Sequence, residues 1–218
     1  MQAPGPEELV AAARMAGVPD ERVLAALRSV PRALFVPPSQ IDRAYEDTPL
    51  PIAHAQVTTQ PSLVAKMVEA LALTGSERVL EIGTGYGWQT ALLASLAGFV
   101  WSVERWPDLA EDARANLERY GVRNVEVAVG DGSEGLAGHA PYEAILVSAA
   151  FPRVPAPLAE QLAPGGRLVQ PVGRGGNEDV VLFERRGDRL EAARSLTLAR
   201  FVPLVGRHGF PAKGADAV

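Results

Sequence analysis

Arg78-Val79-Leu80-Glu81-Ile82-Gly83-Thr84-Gly85-Tyr86-Gly87-Trp88 is the stretch on which the rest of the chain hangs. A short apolar run breaks into three alternating glycines. A helical pattern, Trp88-Gln89-Thr90-Ala91-Leu92-Leu93-Ala94, follows at once, so the stretch predicts strand, tight turn and helix. Glycine suits such a junction because it adopts positive φ and has no Cβ, which lets the backbone approach a ligand beside a helix N-terminus. The dinucleotide fingerprint G-x-G-x-x-G uses its third glycine to let the helix pack closely on the strand. Here that glycine comes one residue early, at Gly87, and Trp88 stands where the fingerprint needs a small residue. Glu81 is awkward beside a pyrophosphate and suits a ligand that carries an ammonium group. Both features weaken the case for a nicotinamide dinucleotide.

Two further acids extend the pattern. Glu104 ends a second apolar run, Phe99-Val100-Trp101-Ser102-Val103, where a carboxylate can accept hydrogen bonds from both ribose hydroxyls. Asp131 follows a third strand-like run, Val125 to Val129, inside Gly130-Asp131-Gly132. Each acid alone has an ordinary explanation as a cap, a turn or a surface residue. Three of them after three successive strands resemble the class I S-adenosylmethionine-dependent methyltransferases, in which acids at these places meet the methionine end, the ribose and the adenine. The resemblance implies S-adenosyl-L-methionine as cofactor, a sulfonium cation without phosphates. The implied cofactor-binding residues are Glu81, Ile82, Gly83, Thr84, Gly85, Glu104, Arg105, Asp131 and Gly132.

Composition narrows the partners. With 218 residues, 47% of them hydrophobic, the chain can bury one sizeable core. A net charge of −5 with dispersed arginines argues against nucleic acid, whose affinity rests on clustered cations. The absence of cysteine excludes disulfides, thiolate nucleophiles and Cys-type zinc sites. His54, His139 and His208 lie far apart without metal-ligand spacing, so they read as surface or loop residues and no metal site is predicted. No apolar run approaches the ~20 residues that span a bilayer, and the start of the chain lacks a signal pattern, which predicts a cytoplasmic protein without a membrane partner.

Residues 1–5 read as frayed. Helices are expected over Pro6 to Met15 and from an Asp20 cap to about Val30, and a third near Pro61 carries Leu63, Val64, Met67, Val68 and Leu71. From Arg78 strands and helices alternate as in a parallel sheet with right-handed crossovers. Pro107 to Tyr120 is the second core helix, Tyr142 to Ala149 the fourth strand and Pro155 to Leu162 a helix. Gly165-Gly166 then reads as a turn into a strand from Arg167 to Val172. Val180 to Glu184 and Leu190 to Phe201 alternate like antiparallel strands joined at Arg186-Gly187-Asp188. The fold class is α/β: a Rossmann-like, doubly wound, mostly parallel seven-stranded sheet with an N-terminal helical extension and a C-terminal antiparallel pair. Its parts are an extension over 1–75 that shapes the substrate site, a cofactor-binding core over 76–210 and a flexible tail over 211–218.

Stretches outside the core carry a narrower resemblance. Val30-Pro31-Arg32 with Phe35-Val36-Pro37, Leu50-Pro51-Ile52, Gln60-Pro61, Val103-Glu104-Arg105, Gly165-Gly166-Arg167-Leu168-Val169 and Phe201-Val202-Pro203-Leu204 match, in order, landmarks of the protein-L-isoaspartate O-methyltransferases. The likeness covers about residues 20 to 205. It implies transfer of a methyl group to the free α-carboxylate of isoaspartyl residues in damaged proteins and peptides, after which a succinimide re-forms and can reopen to normal aspartate. The attacking carboxylate, with a pKa near ~4, is already ionised at pH 7, so alignment and water exclusion matter more than a base.

The family's substrate loop reads Leu-Pro-Ile-Gly, then a polar turn, then Ile-Ser-x-Pro, with the serine beside the methyl acceptor. Here the corresponding residues are Leu50-Pro51-Ile52-Ala53-His54-Ala55-Gln56-Val57-Thr58-Thr59-Gln60-Pro61. Thr59 falls at the serine and is the implied catalytic residue, with Thr58, Thr59 and Val205 at the substrate. An N-cap before Pro61 is the other role open to Thr59. Ala53 and Ala55 replace usual glycines, so altered acceptor specificity or reduced isoaspartyl activity is the alternative expectation. A nicotinamide oxidoreductase and a cofactor-binding module without turnover are the remaining ones.

Overall fold

The computed structural model describes residues 4–212. The first three residues of the expected frayed start, and residues 213–218 of the expected tail, lie outside the described residues. The sheet comprises β1 (Arg78–Ile82), β2 (Phe99–Glu104), β3 (Val125–Val129), β4 (Tyr142–Val147), β5 (Leu162–Val172), β6 (Glu178–Arg186) and β7 (Arg189–Ala199), in the order β3-β2-β1-β4-β5-β6-β7. The pairs from β3 through β5 are parallel, and β5–β6 and β6–β7 are antiparallel. Helices α1 (Pro6–Met15), α2 (Glu21–Ser29), α3 (Pro61–Ala70), α4 (Trp88–Leu96), α5 (Pro107–Tyr120) and α6 (Ala156–Gln161) surround it.

Strand side chains alternate between faces, which divides the core in two. Val79, Val100, Ala144, Leu146 and Val169 face one way, into a cluster with Leu9, Leu24, Leu27, Val64, Met67 and Leu93 from the helices. Leu80, Ile82, Trp101, Val103, Ile145, Val147 and Leu168 face the other way, toward Leu158 of α6, Leu162 and Leu204. Each buried leucine contributes about 1.5–3 kcal/mol. The N-terminal helices therefore share the sheet's core instead of forming a separate one. Asp20 caps α2 by accepting from Arg22 N at 2.8 Å, and Pro61 occupies the first turn of α3, where its missing N–H costs nothing.

Several boundaries differ from expectation: β6 is longer at both ends than Val180 to Glu184, and β7 stops at Ala199, short of Phe201. The fourth strand ends at Val147, because Ala150 and Phe151 leave it to bridge Pro203 and Val172. The helix before β5 stops at Gln161, and β5 starts at once at Leu162. Gly165-Gly166 is consequently an irregularity inside β5 and not a turn before it. Gly165 has φ +76°, and the register against β4 shifts between Tyr142 and Ala144. Glycine in a strand marks such a bulge as readily as a turn.

Candidate active site

A cavity opens over the C-terminal ends of β1 and β2. The turn beneath it needs its glycines: Gly83, Gly85 and Gly87 have φ of +94°, +56° and +90°. Gly83 N donates to Val103 O at 2.9 Å and Gly85 N to Glu104 Oε2 at 2.9 Å, which curls the loop toward the tip of β2. Trp88 fills the wall behind the turn, and its indole N–H reaches Val30 O at 3.2 Å, tying α4 to the N-terminal extension. That contact gives a physical reason for a large residue where a dinucleotide site has a small one.

Of the three acids, Glu104 lines the cavity, whereas Glu81 and Asp131 do not. Glu104 is 5% exposed, and its other oxygen accepts from Trp106 N at 3.1 Å; burial pushes its carboxyl up. Glu81 is fully buried. Gln89 Nε2 donates to its Oε1 at 2.8 Å, and the Thr90 and Ser102 hydroxyls donate to its Oε2 at 2.5 and 2.6 Å. Burial pushes the Glu81 carboxyl up to about 7 against those hydrogen bonds. Since Ser102 gives its only hydroxyl proton to Glu81, the 2.6 Å contact between Thr84 and Ser102 makes Thr84 the donor there. A buried polar chain thus anchors the glycine loop from below. Asp131 accepts from Ser133 N, Ser133 Oγ and Arg207 N at 2.9, 2.7 and 2.6 Å. Desolvation acts upward on its carboxyl, but these bonds hold it below the usual carboxylate range.

Ile82, Gly83, Thr84, Gly85, Arg105 and Gly132 line the same cavity, with the Arg105 guanidinium 4.7 Å from the Trp106 ring centroid. Thr58, Thr59 and Val205 line it too. The Thr58 hydroxyl accepts from Arg32 Nη2 at 2.8 Å and from Leu50 N at 3.1 Å. The Thr59 hydroxyl makes no hydrogen bond among the described residues. Gln60, not Thr59, is the N-cap of α3, and the side chain that caps this helix comes from Asp47, whose Oδ1 accepts from Ser62 N at 2.8 Å. The N-cap role for Thr59 is therefore set aside.

Several participants were not foreseen. His54 read as an ordinary loop histidine, yet its ring stacks on Trp106 at 3.9 Å and 5°, and Nε2 lies 2.8 Å from the Asp108 carboxylate. The hydrogen bond from His54 holds Asp108 below the usual carboxylate range. This clasp joins the 50–60 loop to the start of α5, with His54 and Ala55 at φ +57° and +53°. Gln89 and Trp106 also line the wall, each with one buried atom, Gln89 Oε1 and Trp106 Nε1, that has no partner among the described residues. Gln89-Thr90 in an otherwise apolar helix was the one available signal.

An orphaned acceptor, an orphaned donor, a carboxylate at the tip of β2 and a glycine cradle fit a nucleoside that carries an amino acid end. Fold and site together define a class I S-adenosylmethionine-dependent methyltransferase. Residues 5–209 match the family model described as protein-L-isoaspartate(D-aspartate) O-methyltransferase. A Methanoculleus marisnigri protein-L-isoaspartate O-methyltransferase is 53% identical over 197 residues, 90% of this chain and 89% of that one. One from Anaeromyxobacter dehalogenans is 54% identical over 190 residues, 86% and 91% of the two chains. A solved protein-L-isoaspartate O-methyltransferase superposes with a TM-score of 0.79 at 30% identity, covering 94% of this chain and 67% of that one. A Plasmodium falciparum protein of that description, in complex with S-adenosyl-L-homocysteine, shares the fold, with a TM-score of 0.78 at 20% identity over 94% of this chain and 99% of its own. The chain belongs to the protein-L-isoaspartate(D-aspartate) O-methyltransferase family.

Proposed function

We propose that this protein transfers a methyl group from S-adenosylmethionine to the α-carboxylate of L-isoaspartyl residues in damaged proteins and peptides. The observation that carries the reading is that one cavity is lined by Gly83, Gly85 and Glu104 and also by Thr59 and Val205. When bound, S-adenosylmethionine supplies an activated methyl group on sulfur. Gly83 to Gly85, Glu104 and the open polar atoms of Gln89 and Trp106 are the groups that would hold it. Glu81 acts from below, by fixing Gln89 and, through Ser102, Thr84; Asp131 fixes the chain at Ser133 and Arg207. Arg105 and Gly132 complete the wall.

The acceptor carboxylate is ionised at neutral pH, so the protein's task is orientation and exclusion of water. Thr59, with its hydroxyl uncommitted, donates to that carboxylate, and Val205 lines the same cavity. A methyl group more than serine stiffens the Thr59 side chain about χ1, which favours a fixed donor. The loop is drawn over the cavity by the His54 clasp. The same reading includes a cytoplasmic protein that works without nucleic acid or a membrane. Among the described residues no helix is long and apolar enough to cross a membrane.

The test is transfer of labelled methyl to an isoaspartyl peptide with the aspartyl peptide as control. Transfer to the first alone is the expected result. Thr59→Val, which removes one hydrogen bond to a charged group, should lower kcat/KM about tenfold or more. Transfer to neither peptide, with S-adenosylhomocysteine still bound, would point instead to another carboxylate, the outcome suggested by Ala53 and Ala55.

A further inference from the structure

Arg32 follows Pro31 on a short 3-10 turn, Arg32–Phe35, and is fully buried. Its Nη1 donates to Ala44 O at 3.1 Å and Glu46 O at 3.0 Å, and its Nη2 to Thr48 O at 3.1 Å and Thr58 Oγ1 at 2.8 Å. Thr59 O lies at the outer limit, 3.5 Å from Nη2. The guanidinium carbon stands 5.3 Å from the Trp88 ring centroid. Burial lowers its pKa to about 10, with Asp47 and Glu46 acting the other way, so it remains a cation at neutral pH. Burying a cation away from water costs several kcal/mol unless its donors are satisfied; here both Nη atoms are satisfied, while Nε is buried without a partner among the described residues. A side chain that only filled space here would be apolar.

The five acceptors explain the charge. Residues 44–48 and 58–59 have no regular ladder to take their carbonyl groups, and such buried groups need donors. A planar fork can serve several of them at once, as an ammonium on a flexible stem cannot. The two segments flank the 50–57 turn, which is closed by a bridge between Pro51 and Val57. Thr59 therefore sits between two anchors. Thr58 before it is held by Arg32, and Ser62 after it is held by Asp47, which also accepts from Gln60 Nε2 at 2.8 Å.

We infer that Arg32 is a positioning residue for methyl transfer, fixing the Thr58–Thr59 segment so that the Thr59 hydroxyl is presented to the acceptor. The inference rests on the proposed function for its catalytic consequence but not for its structural one. A displacement of about 1 Å near reacting atoms can cost on the order of a hundredfold in rate. The shorter contact between Arg32 and the segment is the one to the Thr58 hydroxyl, with Thr59 O at the outer limit, so it can be cut without emptying the core.

Thr58→Val, Thr58→Ser, Arg32→Lys and the Arg32→Lys/Thr58→Val double variant are compared with the unsubstituted protein. Peptide kcat and KM, S-adenosylhomocysteine affinity by calorimetry, and hydrogen exchange of residues 50–60 are measured for each. Thr58→Val is expected to lower kcat/KM for the isoaspartyl peptide about tenfold and to speed exchange in the loop, while S-adenosylhomocysteine affinity stays within twofold. Thr58→Ser should recover most of the loss. Where Arg32→Lys folds, the double variant should lose less than the sum of the two single losses, because both cut the Arg32–Thr58 connection and only the loss of the Leu50 N bond is specific to Thr58→Val. Should Arg32→Lys not fold, the two Thr58 variants decide. Additive losses, or S-adenosylhomocysteine affinity falling in step with transfer, would overturn the inference. So would Thr58→Val retaining kcat/KM within twofold. If the unsubstituted protein binds S-adenosylhomocysteine but methylates no isoaspartyl peptide, the functional reading fails on its own. Loop exchange then still decides the anchoring: unchanged exchange in Thr58→Val refutes it.

Discussion

Glu81→Gln should abolish a distinct part of the protein's pH-dependent stability. The Glu81 carboxyl ordinarily titrates near 4.5, and burial in the folded protein raises it to about 7. Between those values the folded state binds a proton that the unfolded state releases, so stability falls as pH rises. The contribution is fully present below 4.5 and lost by the time pH has passed about 7. A shift of that size corresponds to about 3 kcal/mol, or roughly 6–12 °C in thermal midpoint for a chain of this length. The introduced amide can keep all three contacts, since its oxygen can accept from Gln89 and the Thr90 and Ser102 hydroxyls can turn to accept from its nitrogen. Any packing cost of the substitution is independent of pH. Thermal midpoints of both proteins, measured at intervals from pH 5 to pH 8, give the difference directly. The unsubstituted protein is expected to lose stability relative to the variant across this range. Parallel curves would refute the reasoning, because Glu81 would then hold one charge state throughout.

Four further substitutions probe the loop and the cradle. Ala55→Gly removes a left-handed alanine that costs about 1–2 kcal/mol, offset by about 0.5–1 kcal/mol of glycine entropy, and should raise the thermal midpoint slightly. Ala53, which is not at positive φ, should give a loss when made glycine, and equal shifts for the two would count against the strain argument. His54→Ala takes away both the ring stacked on Trp106 and the partner of Asp108, and should speed S-adenosylhomocysteine release in stopped-flow mixing. An unaltered rate would mean the loop does not cover the nucleoside. Gly132→Ala would place its Cβ against Ile82 Cγ2 on β1. Overpacking of that kind costs about 1–3 kcal/mol, so calorimetry should show a lower midpoint and weaker nucleoside binding, and an unchanged midpoint would contradict it.

Much of the frame is written locally, and the amino-acid sequence alone determined it. The runs at Arg78–Ile82 and Val125–Val129 and the helix Pro107–Tyr120 were legible because period, proline and glycine act within a few residues of themselves. The Gly83-Thr84-Gly85 turn was legible because its positive φ values select glycine. Gly165-Gly166 was misplaced because a strand bulge and a turn require the same backbone freedom, and only pairing with β4 distinguishes them. Sequence pointed to Thr59, Val205 and the three acids, but it could not say which way their side chains turn. Tertiary structure alone decided that Glu104 faces the cavity while Glu81 lies beneath the loop and Asp131 is taken up by Ser133 and Arg207. It decided that the Thr58 hydroxyl belongs to Arg32 and that His54 belongs to Trp106 and Asp108. Those pairs are separated by many residues along the chain. Their energies depend on distance and burial, which are set only once the two halves of the core have packed.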